Sequence, residues 1–348
     1  MEVEEVLLAA PRGFCAGVEM AIKALGWMVR VFEPPVYCYH EIVHNQVVVD
    51  RFRSLGVVFV NDVTEVPPGA PLMLSAHGSA PEVVAAARAN GGIVVDAVCP
   101  LVTKVHHEVR VRAAKGYTVV YVGHHGHDEA VGTVAVAPEA VRLVESEDDV
   151  RAIPDLATPV AFLAQTTLSL DEWRSVLASA EDRFPELWMP GRSDLCFATT
   201  NRQAALKAIA DKADAVVVIG SSNSSNTLAL ERTARNAGAA RVLRVNGADE
   251  LPNDLHGVVG VTAGASAPEE LVRAVIGRLA PARGTTEVTL TDEDEYFPLP
   301  RELRELLRVV SAAVAASLLA PSGGGPTWLP DDRLTAASDV LESLATNP

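Results

Sequence analysis

Three cysteines, Cys15, Cys99 and Cys196, each open the same succession of segments, so the chain reads as three copies of one unit of roughly 90 residues. Each unit starts on a cysteine and runs into a helical pattern: Phe14-Cys15-Ala16-Gly17, Cys99-Pro100-Leu101-Val102 and Cys196-Phe197-Ala198-Thr199. In the first, Val18, Ala21, Ile22, Leu25, Met28 and Val29 follow the i, i+3, i+4, i+7 spacing of a helix with one buried face. Each cysteine therefore stands near a helix start, where the positive end of the dipole favours a thiolate.

A β-rich run ending in a polar loop comes next: Val36 to Asn45 with His40 and His44, Thr118 to Glu129 with His124, His125 and His127, and Ala215 to Asn226. A short strand follows at 57–60, 141–144 and 242–245, closed by acidic turn residues and Pro67, Pro154 or Pro252. The last strand of each unit ends in small polar residues that start another helix: Ser75-Ala76-His77-Gly78-Ser79-Ala80-Pro81, Gln165-Thr166-Thr167-Leu168-Ser169 and Thr262-Ala263-Gly264-Ala265-Ser266-Ala267-Pro268. Strands alternating with helices at this spacing predict parallel βαβ units with ligands at the carboxyl ends of the strands, where the polar loops lie. A unit of this length is too long for a solenoid repeat and suits a small α/β lobe. The predicted fold is α/β, with three similar lobes in a pseudo-threefold trefoil around a central site. The boundaries fall at 1–98, 99–195 and 196–285, with 286–348 left as a C-terminal segment of unassigned role.

With 49% hydrophobic and 5% aromatic residues, the interior is built of Ala, Val and Leu. No apolar run approaches the ~20 residues needed to cross a bilayer, and the first residues lack a basic start followed by an apolar stretch. A cytoplasmic protein is expected, without membrane contact. Twenty-nine Lys and Arg against 45 Asp and Glu leave a net charge of −16, a surface that repels nucleic acid. An anionic substrate must be attracted locally.

Four cysteines in a reducing compartment make a disulfide framework improbable and leave metal binding or plain burial. A closed structural zinc site favours close C-x-x-C pairs, and the chain has none. Iron–sulfur clusters are normally held by cysteine thiolates, and three on a four-iron cube leave one iron open, able to bind substrate as a Lewis acid and pass electrons to it. Cys38 lies mid-strand without a counterpart in the other units and reads as a small buried hydrophobe.

Several motifs in order, Pro11-Arg12-Gly13-Phe14-Cys15-Ala16-Gly17-Val18, His40-Glu41-Ile42-Val43-His44-Asn45, Ser75-Ala76-His77-Gly78, Cys99-Pro100-Leu101-Val102-Thr103-Lys104-Val105-His106, Gln165-Thr166-Thr167-Leu168-Ser169, Ala198-Thr199-Thr200-Asn201-Arg202-Gln203 and Asn223-Ser224-Ser225-Asn226, resemble the 4-hydroxy-3-methylbut-2-enyl diphosphate reductase (IspH/LytB) family. The resemblance runs from about the N-terminus to Leu303. It implies the last step of the methylerythritol phosphate route to isoprenoids: reductive removal of an allylic hydroxyl to give isopentenyl and dimethylallyl diphosphate. It also implies a three-lobed trefoil, a central [4Fe–4S] cluster on Cys15, Cys99 and Cys196, and a ferredoxin or flavodoxin donor.

Carried over motif by motif, the diphosphate pocket takes His44, His77, His127, Ser224, Ser225, Asn226 and Ser266. Imidazolium, hydroxyl, amide and backbone N–H donors at helix starts can hold a diphosphate without the Lys/Arg clamp that these loops lack. Glu129 is the expected proton source, with Thr166 relaying the proton or positioning the substrate hydroxyl, because loss of water from a protonated oxygen is easier than loss of hydroxide. His106, His107, His124, His125 and His256 are read as ordinary surface or core residues. Ala10, Glu19-Met20, Tyr39, Val98 and Asp128 stand where the family usually has Asn, Asp-Arg, Arg, Thr, and Pro or Glu respectively. Two other readings are a non-enzymatic paralogue that keeps the fold, and another three-cysteine [4Fe–4S] dehydratase of the quinolinate synthase kind. Retention of Glu129 and the histidines disfavours the former, and the Pro-Arg-Gly-Phe-Cys and Ser-Ser-Asn signatures the latter. Beyond Pro300, Glu302 to Leu319 reads as a helix, 321–326 as a linker and Thr335 to Ala345 as a short helix, with the small apolar stretch from Val309 to Leu319 read as packing.

Overall fold

The computed structural model describes residues 1–317 and 332–346, so the 321–326 linker lies outside the described residues. The chain begins with β1 (Glu2–Ala10), α1 (Ala16–Val31), β2 (Val36–Tyr39), α2 (Gln46–Ser54), β3 (Val57–Val60), β4 (Leu72–Leu74), α3 (Pro81–Ala89) and β5 (Val94–Asp96). It continues through α4 (Pro100–Ala114), β6 (Thr118–Val122), α5 (Asp128–Ala135), β7 (Val141–Val144), α6 (Glu147–Ala152), β8 (Val160–Ala164) and α7 (Leu170–Arg183). The remainder is α8 (Phe197–Ala210), β9 (Ala215–Ile219), α9 (Ser225–Asn236), β10 (Val242–Val245), β11 (His256–Ala263), α10 (Glu269–Leu279), β12 (Thr285–Thr289), α11 (Arg301–Ser317) and α12 (Ala337–Thr346).

Every named strand pair is parallel, and the strands form three sheets. In each sheet the first strand after the cysteine helix lies in the middle: β2 between β3 and β4, β6 between β7 and β8, β9 between β10 and β11. Of these central strands β6 and β9 are rich in Val and buried at every position, as expected where both faces of a parallel sheet are covered. The trefoil of similar α/β lobes is thus built from one strand order used three times.

The lobe boundaries differ from 1–98, 99–195 and 196–285. The segment that precedes each cysteine joins the lobe before it: β5 pairs with β4, Trp188 bridges Ala161 of β8, and β1 pairs with β11. β1 therefore belongs to the third sheet, and the chain's first strand completes its last lobe. The start of the tail also belongs there, since β12 pairs with β1.

The rest of the tail packs on the first lobe. Leu299, Leu303 and Leu307, with Val340, Leu341 and Leu344 of α12, join Ile22, Leu25 and Met28 of α1 in one buried cluster. Burying each such side chain contributes roughly 1.5–3 kcal/mol. Gly26 is required on this face, since a Cβ there would stand 2.6 Å from Val340 Cγ1. Val309 departs from the packing read from sequence: it is 67% exposed.

Candidate active site

Cys15, Cys99 and Cys196 are the N-cap residues of α1, α4 and α8. Three helix-starting turns thus deliver three thiols to the wall of one central cavity. All three are free, and burial pushes the Cys196 thiol up to about 12 and raises that of Cys99, with Cys15 adding to both shifts. Thr199 offers its backbone N–H to Cys196 Sγ at 3.2 Å, with its hydroxyl 3.0 Å from the same sulfur. Gly17 leaves the space between two of the thiols open: a Cβ there would lie 2.9 Å from Cys99 Sγ and 3.9 Å from Cys15 Sγ. Buried thiols that repel one another's ionised forms are stabilised by a cation or cluster that displaces their protons, so this donor set and its cradle fit a thiolate-bound cluster. Cys38 is apart from them, wholly buried in β2, with its thiol raised by burial.

The same cavity is lined by His44, His77, His127, Glu129, Thr166, Ser224, Ser225, Asn226 and Ser266. The loops after β2, β4 and β6 bring the three imidazoles together. His44 and His77 stack with centroids 3.9 Å apart, and His127 meets them edge-on at 5.2 and 6.0 Å. Burial, reinforced by His44, lowers His77 well below the ordinary imidazole value and His127 to about 4. Without a ligand these two are neutral at pH 7. Ser224 caps α9 by accepting the Thr227 N–H at 3.3 Å, which leaves its O–H for an anion at the helix start. Ser225 accepts from Gln165 Nε2 at 3.1 Å, and Ser266 donates to the His44 carbonyl at 2.9 Å. Asn226 donates to Thr199 Oγ1 at 3.2 Å and accepts the Ala265 N–H at 2.9 Å, bridging the third cysteine helix to the Ser266 loop.

Glu129 is 2% exposed at the start of α5. Thr166 donates its N–H to Glu129 Oε1 at 2.7 Å and its hydroxyl to Oε2 at 2.9 Å. Burial outweighs these two bonds, and with Asp194 nearby the carboxyl is raised to about 7. It holds a proton near neutrality.

Other site residues escaped the sequence reading. Phe297, from outside the repeats, lines the cavity and lies 6.4 Å from Phe197 by ring centroid. Arg202, 1% exposed, bonds the carbonyls of Gly13, Phe14 and Ala198 and both oxygens of Glu293. Its place four residues after Ala198 inside an otherwise buried helix face was the available signal. Asp128 bonds His40 Nδ1 at 2.8 Å; burial opposes its ionisation, but that bond and the neighbouring imidazoles hold it at about 2. His124 does not line the cavity and stands behind Ser225, 3.4 Å from its hydroxyl.

The family model described as LytB protein matches residues 6–280. The 4-hydroxy-3-methylbut-2-enyl diphosphate reductase of Rhodopirellula baltica is 48% identical over 316 residues, 89% of this chain and 98% of that protein. The protein of that name from Mycobacterium ulcerans is 47% identical over 305 residues, 86% of this chain and 92% of the relative. Among solved structures, the E-1-hydroxy-2-methyl-but-2-enyl-4-diphosphate reductase of Plasmodium falciparum superposes with a TM-score of 0.85 at 30% identity, covering 89% of this chain and 99% of that one. By that match over most of its length, and by relatives nearly half identical to it, the chain belongs to the LytB protein family.

Proposed function

We propose that this protein is a 4-hydroxy-3-methylbut-2-enyl diphosphate reductase, removing the allylic hydroxyl as water with two electrons and two protons to give isopentenyl and dimethylallyl diphosphate. The observation that carries the reading is one cavity holding three free thiols, a cluster of imidazoles and hydroxyls, and a buried carboxyl poised near pH 7. Cys15, Cys99 and Cys196 would hold a [4Fe–4S] cluster, which when bound supplies the electrons and an open Lewis-acidic iron. A small one-electron carrier of the ferredoxin or flavodoxin class would feed it.

The chain's own groups do the rest. His44, His77, His127, Ser224, Ser225, Asn226 and Ser266 bind the diphosphate, aided by backbone N–H groups at the start of α9. Val43, Ala76, Val102 and Phe297 supply apolar wall for the hydrocarbon and exclude water. With Glu129 protonated at Oε2 and the Thr166 hydroxyl turned toward substrate, that hydrogen bond reverses: Glu129 gives its proton to Thr166 Oγ1 as Thr166 passes its own to the substrate oxygen, so the leaving group departs as water. The test is anaerobic reconstitution with iron and sulfide, followed by substrate and reduced methyl viologen. Perturbation of the cluster spectrum together with consumption of substrate is expected. Perturbation without consumption would favour a non-catalytic paralogue, and no response at all would overturn the substrate.

A pH effect follows from the imidazoles. Bound diphosphate places opposite charge beside His77 and His127 and raises both above their free values. A group whose bound pKa exceeds its free pKa strengthens binding at low pH and loses that contribution as pH rises through the bound value. Affinity for inorganic diphosphate is therefore expected to fall as pH rises above about 4, the free value of His127, with net proton uptake on binding. Calorimetry in two buffers of different ionisation heat reads this directly; proton release would contradict it.

A further inference from the structure

Two of the cavity's imidazoles belong to a second donor set, remote in chemistry from the thiols. Asp128 Oδ2 lies 3.7 Å from His77 Nδ1 and 4.0 Å from His44 Nε2, and one donor atom from each of the three residues falls within 4.8 Å of the others. Tetrahedral coordination with bonds of about 2.0–2.1 Å places ligand atoms roughly 3.3–3.4 Å apart, so closing the set takes a contraction of about half an ångström in the two Asp128 spacings and a rotation of the stacked His44 and His77 rings toward a common point.

Two further observations point to a cation. His44 Nε2 and His77 Nδ1 are buried and have no hydrogen-bond partner. Burying such atoms unpaired costs free energy, on the order of 1–3 kcal/mol each. His44 is also oriented from behind: its Nδ1 lies 3.3 Å from Glu41 Oε2, and Asn223 Nδ2 donates to that same oxygen at 2.8 Å. With the ring proton on Nδ1, the Nε2 lone pair is turned toward Asp128. A carboxylate holding the far nitrogen of an imidazole is the usual support of a metal-bound histidine. Asp128 is anchored likewise, its other oxygen on His40 Nδ1 at 2.8 Å.

We propose that His44, His77 and Asp128 form a binding site for one divalent transition-metal ion of the zinc class, with Glu41 and His40 as its outer supports. The site stands on this geometry and not on the diphosphate reading. Occupied, it withdraws two of the cavity's three imidazoles from any anion, so metal and anionic ligand draw on the same side chains.

The test uses the holoenzyme under anaerobic conditions, without substrate. Zinc is titrated against a chromophoric zinc indicator while iron and sulfide content are measured before and after. One zinc per chain is expected, with no loss of iron. Asp128→Asn is expected to weaken binding at least tenfold, and Glu41→Gln by about ten- to a hundredfold through the outer support. The Glu41 variant keeps the test decisive if the Asp128 change impairs folding. Crystals soaked in zinc should show an anomalous peak between the three residues. Zinc uptake matched by iron loss, a peak at the cysteines, unchanged affinity in both variants, or no zinc bound at all would overturn the site. None of these outcomes bears on substrate turnover, so failure here is separable from failure of the proposed activity.

Discussion

Glu129→Gln is expected to leave the cluster and diphosphate binding in place and to lower turnover by about 10²–10⁴, the usual worth of a general acid. Glutamine has the shape to keep the Thr166 N–H bond at Oε1, so the loop between β8 and α7 stays in position. What it lacks is a transferable proton. In the wild type the acid form is held by burial up to about 7, so turnover should decline tenfold per pH unit above that value if this proton limits the rate. The Gln variant should show no such limb. Stability offers a second readout, with the sign set by the same shift. A carboxyl whose folded pKa lies above its unfolded value of about 4.3 stabilises the fold fully below that value and loses the contribution as pH rises toward 7. Denaturation midpoints of the wild type should therefore fall between pH 5 and 7 more steeply than those of Glu129→Gln. An unchanged rate and pH profile would remove Glu129 from the proton path, and a lost cluster spectrum would assign it a structural role instead.

Much of the fold was legible because local chemistry recorded it. The strands at 57–60, 141–144 and 242–245 fall where β-branched runs meet acidic turns and proline, and β3, β7 and β10 have those bounds. The cysteines were legible as helix starts for the same local reason. Within the run from Val36 to Asn45, β2 ends at Tyr39 and the polar loop begins at His40, whose φ of +57° turns the chain out of the sheet. Sheet membership of β1 was not legible. Its residues record burial, yet which edge a strand joins is fixed by pairing with β11, about 250 residues later. The histidine and serine loops were visible because polar residues cluster at strand ends, while the roles of the single residues, Glu129 among them, came from the family motifs they resemble. Phe297 was not, because an aromatic in an irregular segment carries no periodicity to place it. Asp128 was noticed only as a departure; its meaning depends on His40, His44 and His77, which approach it from other lobe segments.

Arg202→Met is expected to cost about 3–5 kcal/mol and to abolish stable cluster assembly, although Arg202 does not line the cavity. Its guanidinium is the tie between two of the cysteine turns. Nε and Nη2 bond the Gly13 carbonyl at 3.1 and 2.8 Å, Nη2 bonds the Phe14 carbonyl at 3.2 Å, and Nη1 bonds the Ala198 carbonyl at 3.1 Å. Cys15 follows Phe14 directly, and Cys196 caps the helix that carries Arg202, so one planar cation sets the spacing between the two thiols. The same cation neutralises Glu293, whose two oxygens each lie 2.9 Å from Nη1. Methionine fills similar volume but leaves the partly buried Glu293 carboxylate with the Asn201 Nδ2 bond and no cation from this position, and takes the guanidinium donor from the carbonyls of the Cys15 turn. Lysine keeps the charge and loses the fork, so Arg202→Lys should retain most of the thermal stability while binding iron poorly. Iron content after reconstitution, read beside the denaturation midpoint, separates the two effects. Full iron loading in the Lys variant would show that charge alone positions the thiols, and full loading in the Met variant would detach Arg202 from the site altogether.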